Sequence, residues 1–426
     1  MTRFPQPVQD AAEKFSVVFH DAVAYEGALG GAWAPGRVNL IGEHTDYNEG
    51  FVLPLAVDRV AAFAGRVRND GVVRLWSVHF NEYAQFSLAD LPESFEQQRA
   101  MLPGWARYIL GVVTELIQAR VSIKGFDAVV GGDVPLGGGM SSSAALEVAT
   151  AYACSLFSAG NFTIGADGAA FTPLQIAALC QQAEHRASGL RSGILDQAAS
   201  CLGKPGKAIL LDCRSLGYRY LPFDRPELSL MVIDTSVRRE LAASAYNERR
   251  SQCEEATRLL RELIVQNEPA HKEASEIKSL RDISQAQFEH YKSYLPAILQ
   301  QRAGYIIAEN KRVLRVAELL EQGNVEAVGP LLWQGHAGLR DEYEVSCTEL
   351  DVLVEIAQQV PGVLGARMMG GGFGGCTINL VRNSAIETLS QAVAQQYQAR
   401  TGYQASVDIC RAAGGPGWAF FNDSPS

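Results

Sequence analysis

The sequence predicts an α/β (α+β) fold in two domains, residues 1–222 and 223–426, with a ligand cleft between them. Two glycine-rich loops carry this expectation: Val134-Pro-Leu-Gly-Gly-Gly-Met-Ser-Ser-Ser-Ala-Ala-Leu-Glu147 and Met369-Gly-Gly-Gly-Phe-Gly-Gly-Cys-Thr377. Each follows a strand-like run, and they lie far apart in the chain, so each belongs to its own strand–loop unit. The third observation is size and composition: 426 residues, 47% hydrophobic and 20% charged, suit one large or two ordinary globular domains. A seam is expected near Leu221-Pro222-Phe223.

The elements follow in order. Residues 8–25 read as a helix with Phe15, Val18 and Phe19 on one face. Gly31 to Asp46 starts as a strand and is broken by Pro35 and Gly36. Val57–Val67 and Val72–Val78 read as strands joined in a hairpin by Asn69-Asp70-Gly71. Trp105–Ala119 is helical, and Gly125–Gly131 is a short strand leading into the first glycine loop. Ala144–Leu156 follows as a helix, with serine available as its N-cap. Thr172-Pro173 opens a helix reaching His185. Ala208–Asp212 and Leu228–Asp234 are buried-type strands. Residues 241–360 are mainly helical, with a solvated helical insertion at 264–300. Met368–Val381 returns to strand, loop and strand. A helix over Ala385–Gln398 and a strand near Ala405–Cys410 close the chain.

The formal net charge of −10 argues against non-specific nucleic-acid binding, which calls for a basic surface. It does not argue against ATP, whose phosphates meet local amides, cations and metal. No apolar run approaches the ~20 residues of a membrane span. The opening Met1-Thr-Arg-Phe-Pro-Gln-Pro lacks the apolar core of a secretory leader. The eight cysteines form no Cys-x-x-Cys pair, so the expectation is reduced thiols in a cytoplasmic protein.

In the first loop Gly137, Gly138 and Gly139 let the backbone approach a ligand closely. The following helix then points its free N–H groups and its dipole at an anion. The hydroxyls of Ser141, Ser142 and Ser143 add donors and a possible metal ligand. A tight strand-to-helix turn would look alike. Glu43, His44 and Asp46 crowd one loop with Arg37 and Asn39. Such a dense polar run in an apolar segment is costly unless it binds something. A polyol site suits it best; a solvated turn and a metal site are the alternatives. Asp196, between apolar neighbours, needs a partner or caps a helix. Glu184 lies on the preceding helix, where a lone Glu is usually solvated. No Gly-x-x-x-x-Gly-Lys-[Ser/Thr] loop and no His-Arg-Asp or Asp-Phe-Gly run is present, which excludes P-loop enzymes and protein kinases.

Together these residues resemble the GHMP small-molecule kinases, and within them the galactokinase branch, over nearly the whole chain. The segment Ala34-Pro-Gly-Arg-Val-Asn-Leu-Ile-Gly-Glu-His-Thr-Asp-Tyr-Asn-Glu-Gly-Phe-Val-Leu-Pro54 resembles that branch's signature almost residue for residue. The serine loop resembles the family's ATP motif, Met369–Thr377 its third motif, and Leu339–Cys347 a further segment of the branch. The resemblance implies a ribosomal-S5-like N-terminal domain and a ferredoxin-like C-terminal domain with the active site in the cleft. It implies Arg37 and Asp196 as the catalytic pair. Arg37, Glu43, His44, Asp46, Gly193, Asp196 and Tyr246 would bind the sugar. Gly137, Gly138, Gly139, Met140, Ser141, Ser142 and Ser143, with Ser77, would bind ATP, and Ser143 with Glu184 would hold Mg²⁺. The implied reaction transfers the γ-phosphoryl of ATP to the C1 hydroxyl of α-D-galactose, in a cytoplasmic monomer whose partners are these two small molecules. Two alternatives stand beside it: a related sugar-1-kinase acting on N-acetylgalactosamine or L-arabinose, and a non-catalytic galactose and ATP sensor. Two departures touch the site. Ser192-Gly-Ile-Leu-Asp196 replaces the family's frequent Cys-Gly-Ile-Met-Asp, and Arg238-Arg239 replaces its Arg-His pair.

Overall fold

In a computed structural model, residues 4–20, 25–158, 162–165, 169–238, 242–267 and 276–421 are described. Helix α1 (Gln6–Val18) precedes strands β1 (Tyr25–Asn39), β2 (Phe51–Val52), β3 (Pro54–Arg68), β4 (Val72–Ser77) and β5 (Glu82–Ser87). Helices α2 (Phe95–Met101) and α3 (Gly104–Gln118), strand β6 (Phe126–Gly132) and helices α4 (Ser142–Phe157), α5 (Pro173–Ser188) and α6 (Leu195–Leu202) come next. Strands β7 (Lys207–Asp212), β8 (Tyr218–Pro222) and β9 (Leu228–Asp234) lead to helices α7 (Ala242–Asn267), α8 (Gln285–Tyr291), α9 (Ala297–Glu321), α10 (Gly329–Asp341) and α11 (Thr348–Gln358). Strands β10 (Val363–Met369) and β11 (Cys376–Arg382), helix α12 (Ile386–Thr401) and strands β12 (Ser406–Cys410) and β13 (Gly417–Phe420) complete the chain.

The strands form three sheets, ordered β13-β1-β3-β6-β4-β5, β10-β11-β9-β12 and β2-β7-β8. In the first, Ile109, Val112, Val113 and Leu116 of α3 and Val148 and Ala149 of α4 share a core with Phe63, Leu75 and Ala128 of the strands. Phe15 and Phe19 of the α1 segment pack with Ala64 and Val129 in a second cluster. The second sheet is antiparallel throughout, and with α11 and α12 it runs β-α-β-β-α-β, the ferredoxin-like order. Leu353 and Ile356 of α11 and Leu389, Val393 and Tyr397 of α12 pack with Met231, Ile233 and Val381 of that sheet.

Several expectations from sequence need correction. The first helix ends at Val18 rather than 25; residues 21–24 lie outside the described residues, and Tyr25 already belongs to β1. Pro35 and Gly36 do not break β1. They form an irregularity where pairing with β3 shifts between Pro35 and Arg37, and the strand resumes to Asn39. The hairpin expected at Asn69-Asp70-Gly71 does not form, because β6 lies between β3 and β4 and pairs parallel to β4. Charge explains the insertion. Asp127 of β6, fully buried, is held by Arg68 of β3 at 3.0 Å and by Arg74 of β4 at 2.8 Å. Both arginines satisfy a carboxylate that a direct hairpin would leave out.

The stretch 264–300 is not a solvated insertion. Ile264, Ile277, Leu280, Ile283, Phe288, Tyr291, Leu295 and Leu299 are buried in a core shared with α7 and α9; residues 268–275 lie outside the described set. Between α7 and α9 its apolar residues sit on short helices and turns, so no single period exposes them as a face. The opening of α5 stands as read: Thr172 accepts from Gln175 N at 3.3 Å, and the Gln175 side chain accepts from Thr172 N at 2.8 Å.

Candidate active site

The loop after β1 is built before it can bind anything. Leu40 and Ile41 plug the core. Gly42 donates its N–H to Glu309 at 3.0 Å, and Thr45 donates its hydroxyl to the Gly42 carbonyl at 2.8 Å. Asn48 Nδ2 donates to the His44 carbonyl at 2.9 Å. These bonds fix a tight turn in which His44 takes φ of 64°. Glu43 and His44 end up buried, and Asp46 lies at the edge of a small cavity.

That cavity, about 130 Å³, is lined by Arg37, Glu43, His44, Asp46, Gly193, Asp196 and Tyr246, together with Ser192, Gly370 and Gly371 among others. All seven residues expected to bind sugar therefore converge. Gly193 is required where it stands, since a Cβ there would collide with the Asp46 carboxylate. Burial first, then the charge of Asp196, raise Asp46 to about 6, against hydrogen bonds from the Tyr47 and Leu195 amides. Burial raises Glu43 to about 7, while Arg367 opposes it; Glu43 also accepts from Asn39 at 2.9 Å and from Gly370 N at 3.2 Å. Glu43 thus braces the cavity wall through the buried Arg367. Burial, then Arg249, hold His44 near 3, so its imidazole is neutral.

Asp196 and Arg37 sit where the cavities meet. Arg37 Nε donates to one carboxylate oxygen of Asp196 at 2.6 Å and Nη2 to the other at 2.8 Å, a two-pronged pair. Arg37 also donates to the Gly139 carbonyl, and Ser141 donates its hydroxyl to Asp196. Burial works against the charge of Arg37, but Asp196 and then Glu43 outweigh it and raise its pKa. Asp196 is not the helix cap that sequence left open: Ile194 holds that position, and Asp196 lies in the first turn of α6.

A second cavity of about 330 Å³ opens beside the first. It is lined by Gly137, Gly139, Ser141, Ser142 and Ser143 on one side and by Met369 to Gly375 on the other, and it shares Arg37, Asp196 and Glu184 with the sugar-sized cavity. Both glycine loops therefore face one cleft. Gly139 needs φ of 73°, and a Cβ there would strike Cys376 Sγ. Ser141 caps α4 by position, yet no side-chain bond closes the cap, which leaves that helix end turned to the cavity. Gly138 and Met140 do not line it. Gly138 accepts from Cys376, and the buried Met140 supports Arg37, whose amide donates to the Met140 carbonyl at 3.1 Å.

Glu184 is buried rather than solvated, and Ser143 donates to it at 3.2 Å. Burial raises its pKa and Asp196 adds to the rise, against bonds from Ser192, Gln197 and Ser143. Gln197 also bridges Glu184 to Glu147, whose Oε1 is buried without a partner. A third cavity of about 390 Å³ adjoins at Gly137, Ser142 and Ser143 and is mostly apolar, with Ser77, Trp105, Tyr108, Phe80 and Leu136 in its walls.

Sequence reading missed several of these residues. Trp105 and Tyr108 fall within the helix read over Trp105–Ala119, and their periodicity carries no sign of a ligand. Arg238 lines the second cavity, held to Asp234 at 2.9 Å; Arg239 lies outside the described residues. Arg238 is visible in the sequence as half of the Arg238-Arg239 departure, but its partner Asp234, at the end of β9, is not.

Comparisons with known proteins bear on this arrangement. A family model for the galactokinase galactose-binding signature matches residues 13–67, one for the GHMP kinases N terminal domain matches 107–204, and one for GHMP kinases C terminal matches 316–399. A galactokinase from Roseiflexus sp. (strain RS-1) is 41% identical, covering 92% of this chain and 93% of its own length. One from Homo sapiens is 40% identical, with 90% of each covered. The crystal structure of Lactococcus lactis galactokinase complexed with galactose superposes with a TM-score of 0.84 at 33% identity, covering 95% of this chain and 98% of that one. The Methanococcus jannaschii mevalonate kinase, at 16% identity and a TM-score of 0.58, shares the fold. With the signature loop, the serine loop and the second glycine loop around one cleft, and relatives this similar over nine-tenths of its length, the chain belongs to the galactokinase family of the GHMP kinases.

Proposed function

We propose that the protein transfers the γ-phosphoryl group of ATP to the C1 hydroxyl of α-D-galactose, yielding galactose 1-phosphate and ADP. The observation that carries this reading is the position of Asp196 and Arg37. They lie on the shared wall of a small cavity lined with polyol-binding groups and a larger one faced by two glycine loops. The sugar hydroxyl and the terminal phosphate then meet across one carboxylate–guanidinium pair. Arg37 neutralises charge developing on the transferred phosphoryl oxygens. Asp196 orients the hydroxyl or takes its proton late in the transfer. The mostly apolar cavity suits the base of the nucleotide, with Ser77 in its wall.

The donor set at Ser143 and Glu184 fits Mg²⁺, which takes one or two protein oxygens and fills its octahedron with water and phosphate oxygens. When bound it would offset the negative charge of the phosphates. Ser143 and Glu184 both line the second cavity, beside the serine loop, which supports this reading. We also read the chain as two units meeting at residues 222–223, with β13 returning to the first. None of the eight cysteines is in a disulfide, which supports a reducing, cytoplasmic setting.

The experiment is ADP release with ATP, Mg²⁺ and a sugar panel. Galactose is expected to be turned over best, with glucose, N-acetylgalactosamine and L-arabinose well behind. Preferred turnover of one of the others would reassign the sugar; binding of galactose and ATP without ADP release would make the protein a sensor.

A further inference from the structure

His44 stands between the small cavity and a buried chain of hydroxyls. Its Nδ1 lies 2.8 Å from the Tyr47 hydroxyl, which lies 2.7 Å from the Tyr343 hydroxyl, which in turn lies 3.1 Å from Cys253 Sγ. Tyr343 and Cys253 are buried, and the rings of Tyr47, Tyr246 and Tyr343 pack around the imidazole. On its other side, His44 Nε2 is buried with no hydrogen bond of normal geometry, while the Gly371 backbone, which also lines the cavity, favours a proton on the ring. A neutral imidazole carries one hydrogen, and the partner of one nitrogen decides what the other offers.

The direction of the chain follows from acceptor strength. Thiol sulfur is a weak acceptor, so the Tyr343 hydrogen goes to the Tyr47 oxygen rather than to Cys253. The Tyr47 hydrogen is then left for His44 Nδ1, a better acceptor than a phenol oxygen, and Cys253 supplies its S–H to Tyr343. We propose that Tyr47, backed by Tyr343, is a positioning residue that locks His44 as the Nε2–H tautomer, so that the cavity meets a hydrogen-bond donor at that point. The consequence is a rule for the substrate, and it rests on reading the cavity as the sugar site. The hydroxyl that meets His44 must accept, which frees its own hydrogen for a carboxylate lining the same cavity, such as Asp46. A sugar bearing a hydrogen or a protonated amine there leaves Nε2–H unpaired and is rejected.

The test is imidazole ¹⁵N NMR of the full-length protein, with the His44 signals assigned from His44→Gln. The expected pattern is hydrogen on Nε2 and a hydrogen-bonded, unprotonated Nδ1, with both signals moving on addition of galactose. Tyr47→Phe should shift the Nδ1 signal towards that of an unbonded nitrogen. It should raise the galactose KM roughly three- to tenfold, the worth of one neutral hydrogen bond, while kcat and the ATP KM move far less. Tyr343→Phe, which leaves the Tyr47 bond in place, should preserve the tautomer and shift KM less. Hydrogen on Nδ1 in the parent protein overturns the proposal. So does Tyr47→Phe with unchanged Nδ1 signal and galactose KM. An Nε2–H signal that galactose does not move overturns the sugar reading, and with it the donor role, but leaves the tautomer lock standing.

Discussion

Replacing Arg367 by Met should destabilise the protein severely and in a pH-dependent way. Arg367 is wholly buried on β10, and its guanidinium pairs with Glu43, itself only 4% exposed. It also donates to the backbone carbonyls of Leu40 at 2.7 Å, Asn39 at 2.8 Å and Met368 at 3.1 Å. Methionine fills much of the volume but supplies none of these donors, and Glu43 would remain buried without its cation. Breaking a buried pair in this way costs about 3–5 kcal/mol. Part of the cost returns at low pH. Glu43 sits at about 7 in the folded protein, above its ordinary value of 4.5, so the folded state holds more protons than the unfolded one. Stability attached to this group is therefore greatest in acid and falls as pH rises through that window. Without Arg367 the folded pKa climbs further, and each extra unit widens the gap between acid and alkaline stability by ~1.4 kcal/mol. The assay is urea unfolding of parent and variant at pH 5.5 and 8. The variant should lose most at pH 8 and recover a kilocalorie or more at pH 5.5, whereas Arg367→Lys, which keeps the charge but not the fork, should fall between. A variant as stable as the parent at both values would refute the argument that buried Glu43 depends on this cation.

Asp46→Ala should raise the galactose KM by roughly 10- to 100-fold, the worth of a charge-assisted hydrogen bond, and leave the ATP KM near its parent value. Because Asp46 sits at about 6, kcat/KM for galactose in the parent should rise with pH through that value as the carboxylate becomes available to accept; a flat profile would remove Asp46 from the sugar contacts. Asp196→Asn keeps the shape and removes the charge opposite Arg37, and kcat should fall by about 10²–10⁴ with a smaller change in galactose KM; near-normal turnover would exclude both roles given to Asp196. Glu184→Gln should raise the Mg²⁺ concentration for half-maximal rate by roughly 10- to 100-fold. In metal-free buffer the same variant should melt no lower than the parent, since burial already penalises the ionised form of Glu184; a lower melting temperature with unchanged Mg²⁺ dependence would make Glu184 structural.

The fold was legible wherever structure is local and partly illegible where it depends on a distant partner. The Thr172–Gln175 capping box writes the start of α5 in four residues, and the helix begins there. Asn69-Asp70-Gly71 is an equally local turn signal, yet its two strands are not neighbours. The deciding residue, Asp127, lies more than fifty positions on, and only the three-dimensional fold brings it between Arg68 and Arg74. The stretch 264–300 fails for another reason: between α7 and α9 its buried residues sit on short helices and turns and are contributed one at a time to a core that those two helices complete.

At the site, the legible part is the part whose cost is visible in one dimension. Arg37, Glu43, His44 and Asp46 stand out because polar groups so close together in an apolar segment must be compensated. The compensation itself is not visible. Arg367 reaches Glu43 from a strand over three hundred residues away, and Tyr343 reaches Tyr47 from beyond the C-terminal end of α10. Both come from the half of the chain that also supplies Gly370 and Gly371 to the cavity. The signature loop therefore holds its binding groups in place only when the second glycine loop is docked against it. A mutation that loosens β10 should act on sugar binding before it acts on the serine loop, because the nucleotide side is anchored by α4 and by Arg37, whereas the Glu43 wall of the sugar side is ion-paired through Arg367 of β10 itself.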